Sequence, residues 1–371
     1  SDSAALVIAG NASFDTPGSI NLNENANDFG SVQVVSAVNA FFVDVDDLSL
    51  ASSTVTGDLD IRADGGVNLS ASTVGGALDL RTTGLVDQGG ALIVSGNASF
   101  NTGGFDLTLS DPGNDLASIT VLIAQDVVLN DANALVLDSV TANGNLTVGT
   151  GGAITDAGRV RVLGDTNILA GSPGASADVT LDNAANDFAS VRVLRANDVS
   201  FVDASGIDLG TAAVDGTFTL TSGGNVTSSG ALVLGGQMTV NAGGNDVTLT
   251  SPGNDFSIFS GDAINDLAIV DVDGIVFEST NVFGNFDLTA SGTVDATGRI
   301  SVGGVADLSA GGGSFVLDRV AHGFNEIRLN GDGASLVDDS ALVLGAVTLA
   351  SDLTISSAGA IIQNGAPAAV I

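Results

Sequence analysis

The segment GDLDIRADGGVNLSASTVG (57–75) is followed at once by GALDLRTTGLVDQGG (76–90), which repeats its opening nearly residue for residue. Both copies alternate apolar with polar side chains, which is the pattern of a half-buried β-strand. A block of this length can be duplicated without disturbing its surroundings only if it closes one complete structural turn. We therefore predict an elementary unit of about 19–23 residues.

A longer repeat surrounds this duplication. An Asn-Asp-Phe-like triplet begins at positions 27, 114, 186, 254 and 322, and its last copy reads His322-Gly323-Phe324. An opening strand of the type ALVIAGNASF (5–14) and a G-x-[L/F]-x-[L/V/I] strand recur at nearly the same steps, which settle at a 68-residue unit. The markers predict units at 1–87, with the extra 19-residue coil at 57–75, and at 88–155, 156–227, 228–295 and 296–363, with 364–371 opening a sixth.

These periods predict an all-β protein, a right-handed parallel β-helix (β-solenoid) that runs as one continuous solenoid over 1–371. A turn of about 20 residues holds three short strands, each stacked on its equivalent in the next turn. Three turns in each 68-residue repeat, plus the extra one, give about 16 coils. A β-propeller is excluded because its blades of about 40–50 residues would not show a 19-residue period.

The triplets mark turns and core. Asn tolerates left-handed backbone and bonds neighbouring amides, so each triplet Asn is expected at a corner. Each Phe is expected to point inward, where burial contributes about 2–3 kcal/mol. The predicted structural turn and core markers are Asn27, Phe29, Asn114, Leu116, Asn186, Phe188, Asn254, Phe256 and Phe324.

The composition excludes several classes of function. The chain has 371 residues, a net charge of −34 and no Cys, Trp or Tyr, and all nine basic residues are Arg. Without Cys there is no disulfide and no thiolate metal site. Lys and Arg carry the contacts that proteins make with phosphate and anionic lipid, and a chain with a net charge of −34 repels both. We therefore expect no nucleic acid partner. A membrane-spanning helix needs an apolar run of about 18 residues or more, and none is present, so we expect no membrane insertion as a helix.

Asp outnumbers Glu by 40 to three. Asp is a turn residue, and excess negative charge keeps stacked strands from associating side by side. Calcium is an alternative, because Asp44, Asp46, Asp47, Asp271 and Asp273 occupy corresponding places in two repeats and Ca²⁺ prefers such oxygens. The nonapeptide of calcium β-rolls and the EF-hand loop are both missing, however. We expect no cofactor, with Ca²⁺ as the alternative.

No catalytic constellation stands out. His322 is the single His and replaces the turn Asn of its repeat, which favours a structural role. No G-x-S-x-G nucleophile elbow is present. Arg159 and Arg299 fall at one repeat position, which favours a surface role. We expect that the protein is not an enzyme. A β-helical polysaccharide-degrading enzyme is kept as the least favoured alternative.

Strands such as LTVGTGGAI (146–154), LTSGGNV (220–226) and LTASGTV (288–294), at coil spacing, resemble the filamentous-haemagglutinin-like repeats of giant Gram-negative surface proteins. These include two-partner-secretion exoproteins and repetitive adhesins. The resemblance implies a right-handed parallel β-helix, an extracellular or bacterial cell-surface location, and adhesive, matrix or filament roles. The secretion-signal region that such exoproteins carry at the N-terminus is not seen in this sequence.

The favoured function is a structural, non-catalytic repeat module of an extracellular filament, biofilm-matrix fibre or adhesin stalk. The sequence shows no polar cap, so we expect coils that stack end to end on further copies or continue in a longer chain. The alternative is a carbohydrate- or surface-binding module for a cell-surface or matrix polysaccharide, or for a mineral or ice surface. An ordered outward Thr ladder would favour binding, but in the sequence Thr looks scattered.

Overall fold

A computed structural model describes residues 4–364 of the chain. Within this range the chain forms 37 β-strands and no α-helix, which confirms the all-β prediction. It divides into two compact units, Ser1–Ala189 and Ser190–Ile371. Each unit is a β-solenoid whose strands stack in parallel on the strands of the next turn. The short hairpin of β19 with β20 in the first unit is antiparallel.

The strands of the first unit are β1 Val7–Asp15, β2 Ile20–Leu22, β3 Asp28–Ser36, β4 Ala40–Asp44, β5 Leu48–Leu50, β6 Ser53–Val55, β7 Leu59–Ala63, β8 Val67–Leu69, β9 Ser72–Val74, β10 Leu78–Thr82, β11 Val86–Gln88, β12 Leu92–Asn101, β13 Leu107–Leu109, β14 Asp115–Ala124, β15 Val127–Asp131, β16 Leu135–Ala142, β17 Leu146–Thr150, β18 Ile154–Asp156, β19 Val160–Ser172, β20 Ala175–Ser176 and β21 Val179–Leu181. Strand β22, Asp187–Ala196, begins in the first unit and ends in the second. The second unit continues with β23 Val199–Asp203, β24 Ile207–Val214, β25 Phe218–Ser222, β26 Val226–Ser228, β27 Leu232–Leu249, β28 Asp255–Asp271, β29 Ile275–Val282, β30 Phe286–Ala290, β31 Val294–Ala296, β32 Ile300–Ser309, β33 Phe315–Gly331, β34 Ala334–Asp338, β35 Leu342–Leu349, β36 Leu353–Ser357 and β37 Ile361–Gln363.

The duplicated segment forms one whole turn. Strands β7 and β10 pair in register, with Leu59 opposite Leu78 and Arg62 opposite Arg81, so each residue faces its own duplicate. Strand β8 pairs with β11 at the same offset. Because each strand exposes alternate residues, apolar side chains stack inside and Asp and Arg side chains stack outside. The insertion therefore adds a turn without changing the register of its neighbours.

The 68-residue repeat is not a whole number of turns. Ala98 pairs with Ile119 in the next turn, Ile119 pairs with Leu137, and Leu137 pairs with Asp156. Three turns therefore carry the chain from position 98 to position 156. Thr166 occupies the place of Ala98 in the next repeat, but it pairs into strand β17 instead. The stretch from 156 to 166 is about half a turn, because a whole turn runs, for example, from Ser31 to Ser49.

The second unit repeats this geometry. Phe259 pairs with Phe277 in the next turn, and Phe277 pairs with Ala296 one turn later. Ile327 is the counterpart of Phe259 in the next repeat, but it pairs with Ala306 of strand β32 and so belongs to a different column of paired residues. Within a unit, successive triplets therefore face opposite sides of the stack. The described residues form about 18 turns, rather than the 16 expected from three turns in each repeat.

The core consists of these inward ladders. Edge-to-face contacts join Phe256 to Phe259, Phe259 to Phe277 and Phe277 to Phe286, with ring centroids 5.3 to 6.4 Å apart. In the first unit Phe29 and Phe14 both contact Phe42. Aromatic pairs of this geometry add about 0.5–1.5 kcal/mol beyond the burial of their area.

Most glycines in the described residues allow neighbouring turns to approach closely, and fewer of them have a left-handed backbone. A Cβ on Gly75 would lie 2.3 Å from the carbonyl oxygen of Thr56 in the preceding turn. Among residues 4–364, positive φ occurs at Gly103, Gly104, Gly171, Gly174, Gly243, Gly244, Gly311 and Ala263. The triplet asparagines do lie at turns, because the backbone N–H of each donates to the carbonyl oxygen three residues earlier, but none of them has a left-handed backbone.

Candidate functional site

Each triplet side chain accepts a backbone hydrogen bond from the opening strand of the preceding turn. All five of these side chains are fully buried. The bonds are Leu6 N–H to Asn27 Oδ1 at 2.9 Å, Leu92 to Asn114 at 2.8 Å, Val160 to Asn186 at 2.8 Å, Leu232 to Asn254 at 2.9 Å and Ile300 to His322 Nδ1 at 3.0 Å. The amide also donates, as from Asn254 Nδ2 to the carbonyl oxygen of Leu249 at 2.9 Å.

A buried Asp follows each triplet Asn or His at a nearly constant offset in the sequence. For Asp44, Asp131, Asp271 and Asp338, Oδ2 accepts the N–H of the third triplet residue and Oδ1 accepts the N–H two positions after the Asp itself. For Asp271 these donors are Phe256 at 2.8 Å and Asp273 at 3.1 Å. Together, the triplet Asn or His and the Asp that follows it fasten three successive turns to one another. We call each such pair a clamp. The clamps are Asn27 with Asp44, Asn114 with Asp131, Asn254 with Asp271, and His322 with Asp338.

The structure buries every predicted turn and core marker. Phe29, Leu116, Phe188, Phe256 and Phe324 are at most 1% exposed, and the asparagines are not exposed at all. The role of the clamp Asp is missed by the sequence reasoning. Its signal is the Val-Asp or Asn-Asp pair at a fixed distance after each triplet, which by itself also fits a turn or a calcium ligand.

Burial perturbs the clamp carboxylates. It raises the pKa of Asp44 and Asp131, and it raises the pKa of Asp271 to about 6. The two backbone N–H groups that each carboxylate accepts lower the pKa, but by less than burial raises it. The Asp271 clamp therefore holds a carboxylate that takes up its proton in mildly acidic solution.

The calcium candidates lie on and beside two clamps. Both oxygens of Asp44 and of Asp271 already accept backbone N–H groups. Residues 4–364 contain no group of three or more His, Cys, Asp or Glu side chains arranged to hold a metal ion. The calcium alternative therefore rests on the sequence pattern, and a melting curve with and without chelator at fixed ionic strength tests it.

His322 is built into the core. Its Nδ1 accepts the N–H of Ile300, and its ring contacts Phe324 with centroids 5.6 Å apart. Burial lowers the pKa of His322, so the neutral ring is favoured. A side chain with no exposure to solvent and an occupied Nδ1 is suited to structure rather than to proton transfer with a substrate.

The basic residues form ion pairs on the surface. Arg62 pairs with Asp60 at 3.2 Å and Arg81 with Asp79 at 2.9 Å, as stacked copies in adjacent turns. Arg159 and Arg299 occupy one repeat position, where Arg159 pairs with Asp187 at 3.2 Å and Arg299 pairs with Asp339. Exposed pairs of this kind contribute about 0–1 kcal/mol.

One outward ladder is also missed by the sequence reasoning. Ser200, Thr219, Thr239 and Ser260 lie opposite one another on successive strands of the second unit. In the linear sequence their spacing of one turn is hidden among many other Ser and Thr residues. The hydroxyl groups therefore form an ordered column over four turns rather than a scattered set.

Comparison with known proteins gives a family. The family model described as repeats of unknown function (DUF5649) matches residues 1–36, 57–123, 124–194, 196–259, 264–328 and 331–370. The chain belongs to this family of repeats. The last four matches begin at positions 124, 196, 264 and 331, each 9 or 10 residues after the start of a triplet. Residues 37–56, one turn in length, lie between the first two matches.

Searches of curated proteins and of solved structures return no match. In the part of the chain that the structure describes, no helix has the length and apolar character needed to cross a membrane.

Proposed function

We propose that this DUF5649 chain is a structural, non-catalytic module of an extracellular filament, matrix fibre or adhesin stalk. The observation that carries the proposal is the repetition of the clamp. The same buried pair recurs through both units and fastens strands of three turns each time. Such a device stabilises stacking along a repeat array, because in solenoids each repeat contacts only its neighbours.

The surface charge supports the same role. A net charge of −34 spread over about 18 turns amounts to roughly two negative charges per turn. Along each strand, exposed residues alternate with buried apolar residues that form the core. The negatively charged surfaces of two such solenoids repel each other. We infer that this negative coat limits side-by-side association and favours stacking in the direction in which the turns stack.

Immunogold electron microscopy of the native source tests this proposal. An antibody raised against the chain should label extracellular fibres or surface projections. In solution, the assemblies formed by the purified chain should grow in length with concentration or with added repeats. Labelling confined to compact intracellular particles would contradict the proposal.

Binding to a surface is the second candidate, and the Ser200–Thr219–Thr239–Ser260 column favours it. Its four hydroxyl-bearing residues share one outward register in adjacent turns. Sedimentation with insoluble glycans or mineral particles tests this candidate. A Thr219→Asp, Thr239→Asp variant should lose binding that the parent chain shows, whereas unchanged binding would exclude the column.

A further inference from the structure

A surface groove of about 590 Å³ lies on the first unit, across the turns that the duplication creates. Three stacked outward positions, Ser49, Asn68 and Asp87, form one wall in register. Leu85 and Phe105 contribute the apolar part of the lining. The backbone of Gly65, Gly66 and Gly84 forms the floor of the groove. At Gly65 and Gly84 the neighbouring turn lies too close for a residue with a Cβ.

The two apolar residues are exceptional among the repeats. Leu85 is 55% exposed and Phe105 is 51% exposed. The residues that correspond to Leu85 in the next three repeats are Ala153, Asn225 and Thr293. Those that correspond to Phe105 include Asn245 and Gly313. The fold therefore accepts small or polar residues at both positions, and packing does not explain large apolar side chains there.

The duplication also supplies the polar wall. Without the extra turn, Ser49, Asn68 and Asp87 could not form three consecutive rungs, because residues 57–75 provide the middle one. A shallow groove that combines exposed apolar side chains with a few oriented polar groups has the chemistry of a ligand site. This repeat differs from the others in the features that a ligand would use.

We propose that this groove binds a β-linked glycan that carries free amino groups. The exposed faces of Phe105 and Leu85 fit the apolar C–H face of a pyranose ring. The carboxylates of Asp47 and Asp87 lie in the lining without any Arg, which favours a cationic ligand over an anionic one. The rungs repeat at about 4.8 Å, close to the length of one sugar residue in an extended β-linked chain.

The proposal goes beyond a stalk or filament role and does not depend on it. A chain that binds the glycan as a monomer would support the groove and leave the filament proposal to electron microscopy. A chain that forms filaments without binding the glycan would support the filament proposal and overturn the groove.

Isothermal titration of the full chain with the β-1,4-linked glucosamine hexamer tests the proposal. Cellohexaose serves as the neutral probe and a galacturonic acid hexamer as the anionic one. We expect the glucosamine hexamer to bind most tightly and the galacturonic acid hexamer not to bind. Phe105→Asn and Leu85→Asn should each weaken binding at least tenfold. Asp87→Asn should weaken binding of the glucosamine hexamer more than that of cellohexaose.

Phe283→Asn is the matched control, because Phe283 is 56% exposed and does not line the groove. It should leave the affinity unchanged. Far-ultraviolet circular dichroism checks folding, which we expect to be retained since Asn225 and Asn245 occupy the positions corresponding to Leu85 and Phe105 in two later repeats. No binding of the glucosamine hexamer, unchanged affinity in Phe105→Asn and Leu85→Asn, or equal affinity for the neutral or anionic hexamer would overturn the proposal.

Discussion

Replacing Asn254 by Ala should show how much one clamp contributes. The change removes the acceptor for the Leu232 N–H and the donor to the Leu249 carbonyl oxygen, each at 2.9 Å in the native chain. Asn254 is fully buried, so neither backbone group can bond to water instead. An unsatisfied buried backbone group costs about 1–3 kcal/mol, so the two together should destabilise the second unit by about 2–6 kcal/mol.

Urea denaturation followed by circular dichroism measures the loss, with Asn330→Ala as the control. Asn330 is exposed and its amide makes a single 3.4 Å hydrogen bond, so the control should change stability by no more than about 0.5 kcal/mol. Hydrogen exchange gives a local measure, because the Leu232 amide should lose protection. Asn254→His should retain much of the stability, since His322 fills the same place in the next repeat. Equal destabilisation by the two Ala variants, or unchanged protection at Leu232, would refute the clamp.

Three further predictions concern pH, glycine and turn length. The folded pKa of Asp271 is about 6, above its ordinary 3.8, so its carboxylate costs stability at neutral pH and the cost shrinks as pH falls below 6. We expect Asp271→Asn to reduce the gain in unfolding free energy between pH 7.5 and 5, by up to about 1.4 kcal/mol. His322 has a lowered pKa and acts in the opposite sense, so His322→Asn should reduce the loss of stability below pH 6.5; an unchanged pH profile in either variant would contradict the assignment. Gly75→Ala should lower the melting temperature because its Cβ would meet a backbone carbonyl oxygen at 2.3 Å, whereas Gly10→Ala, with nothing within 4 Å, should not. Deleting 57–75 removes one whole turn and should leave a folded, protease-resistant chain, while deleting only 57–66 should not; equal resistance would count against the turn length.

The fold could be predicted because repetition makes the local signal redundant. The copies at 57–75 and 76–90 state the length of a turn directly, and the structure pairs each strand residue of one copy with its counterpart in the other. The number of turns in a repeat could not be obtained in this way. The markers show the same 68-residue period whether that length closes three turns or three and a half, and only strand register distinguishes the two.

The candidate sites show the same limit. The sequence placed Asn27 and Asp44 in recurring patterns, but hydrogen bonding between turns decides that these side chains are buried acceptors. The groove was invisible for a related reason. Leu85 and Phe105 are separated by a whole turn of sequence and become neighbours in one lining only after the turns have stacked.

Distances between spin labels test the half-turn geometry most directly, and the absence of native Cys makes specific labelling straightforward. Thr219, Ser279 and Asp287 are all exposed positions of the second unit. Register carries Thr219 through Thr239 to Ser260, and the Ser260 hydroxyl donates to the Ser279 carbonyl oxygen. Labels at 219 and 279 should therefore lie three turns apart on one side, with backbones about 14 Å apart.

Asp287 occupies the place of Thr219 in the next repeat. Pulsed electron–electron double resonance should give a longer distance for the 219–287 pair than for the 219–279 pair, because the former spans opposite sides of the stack. A 219–287 distance equal to or shorter than the 219–279 distance would mean that each repeat closes whole turns, and would contradict the fold described above.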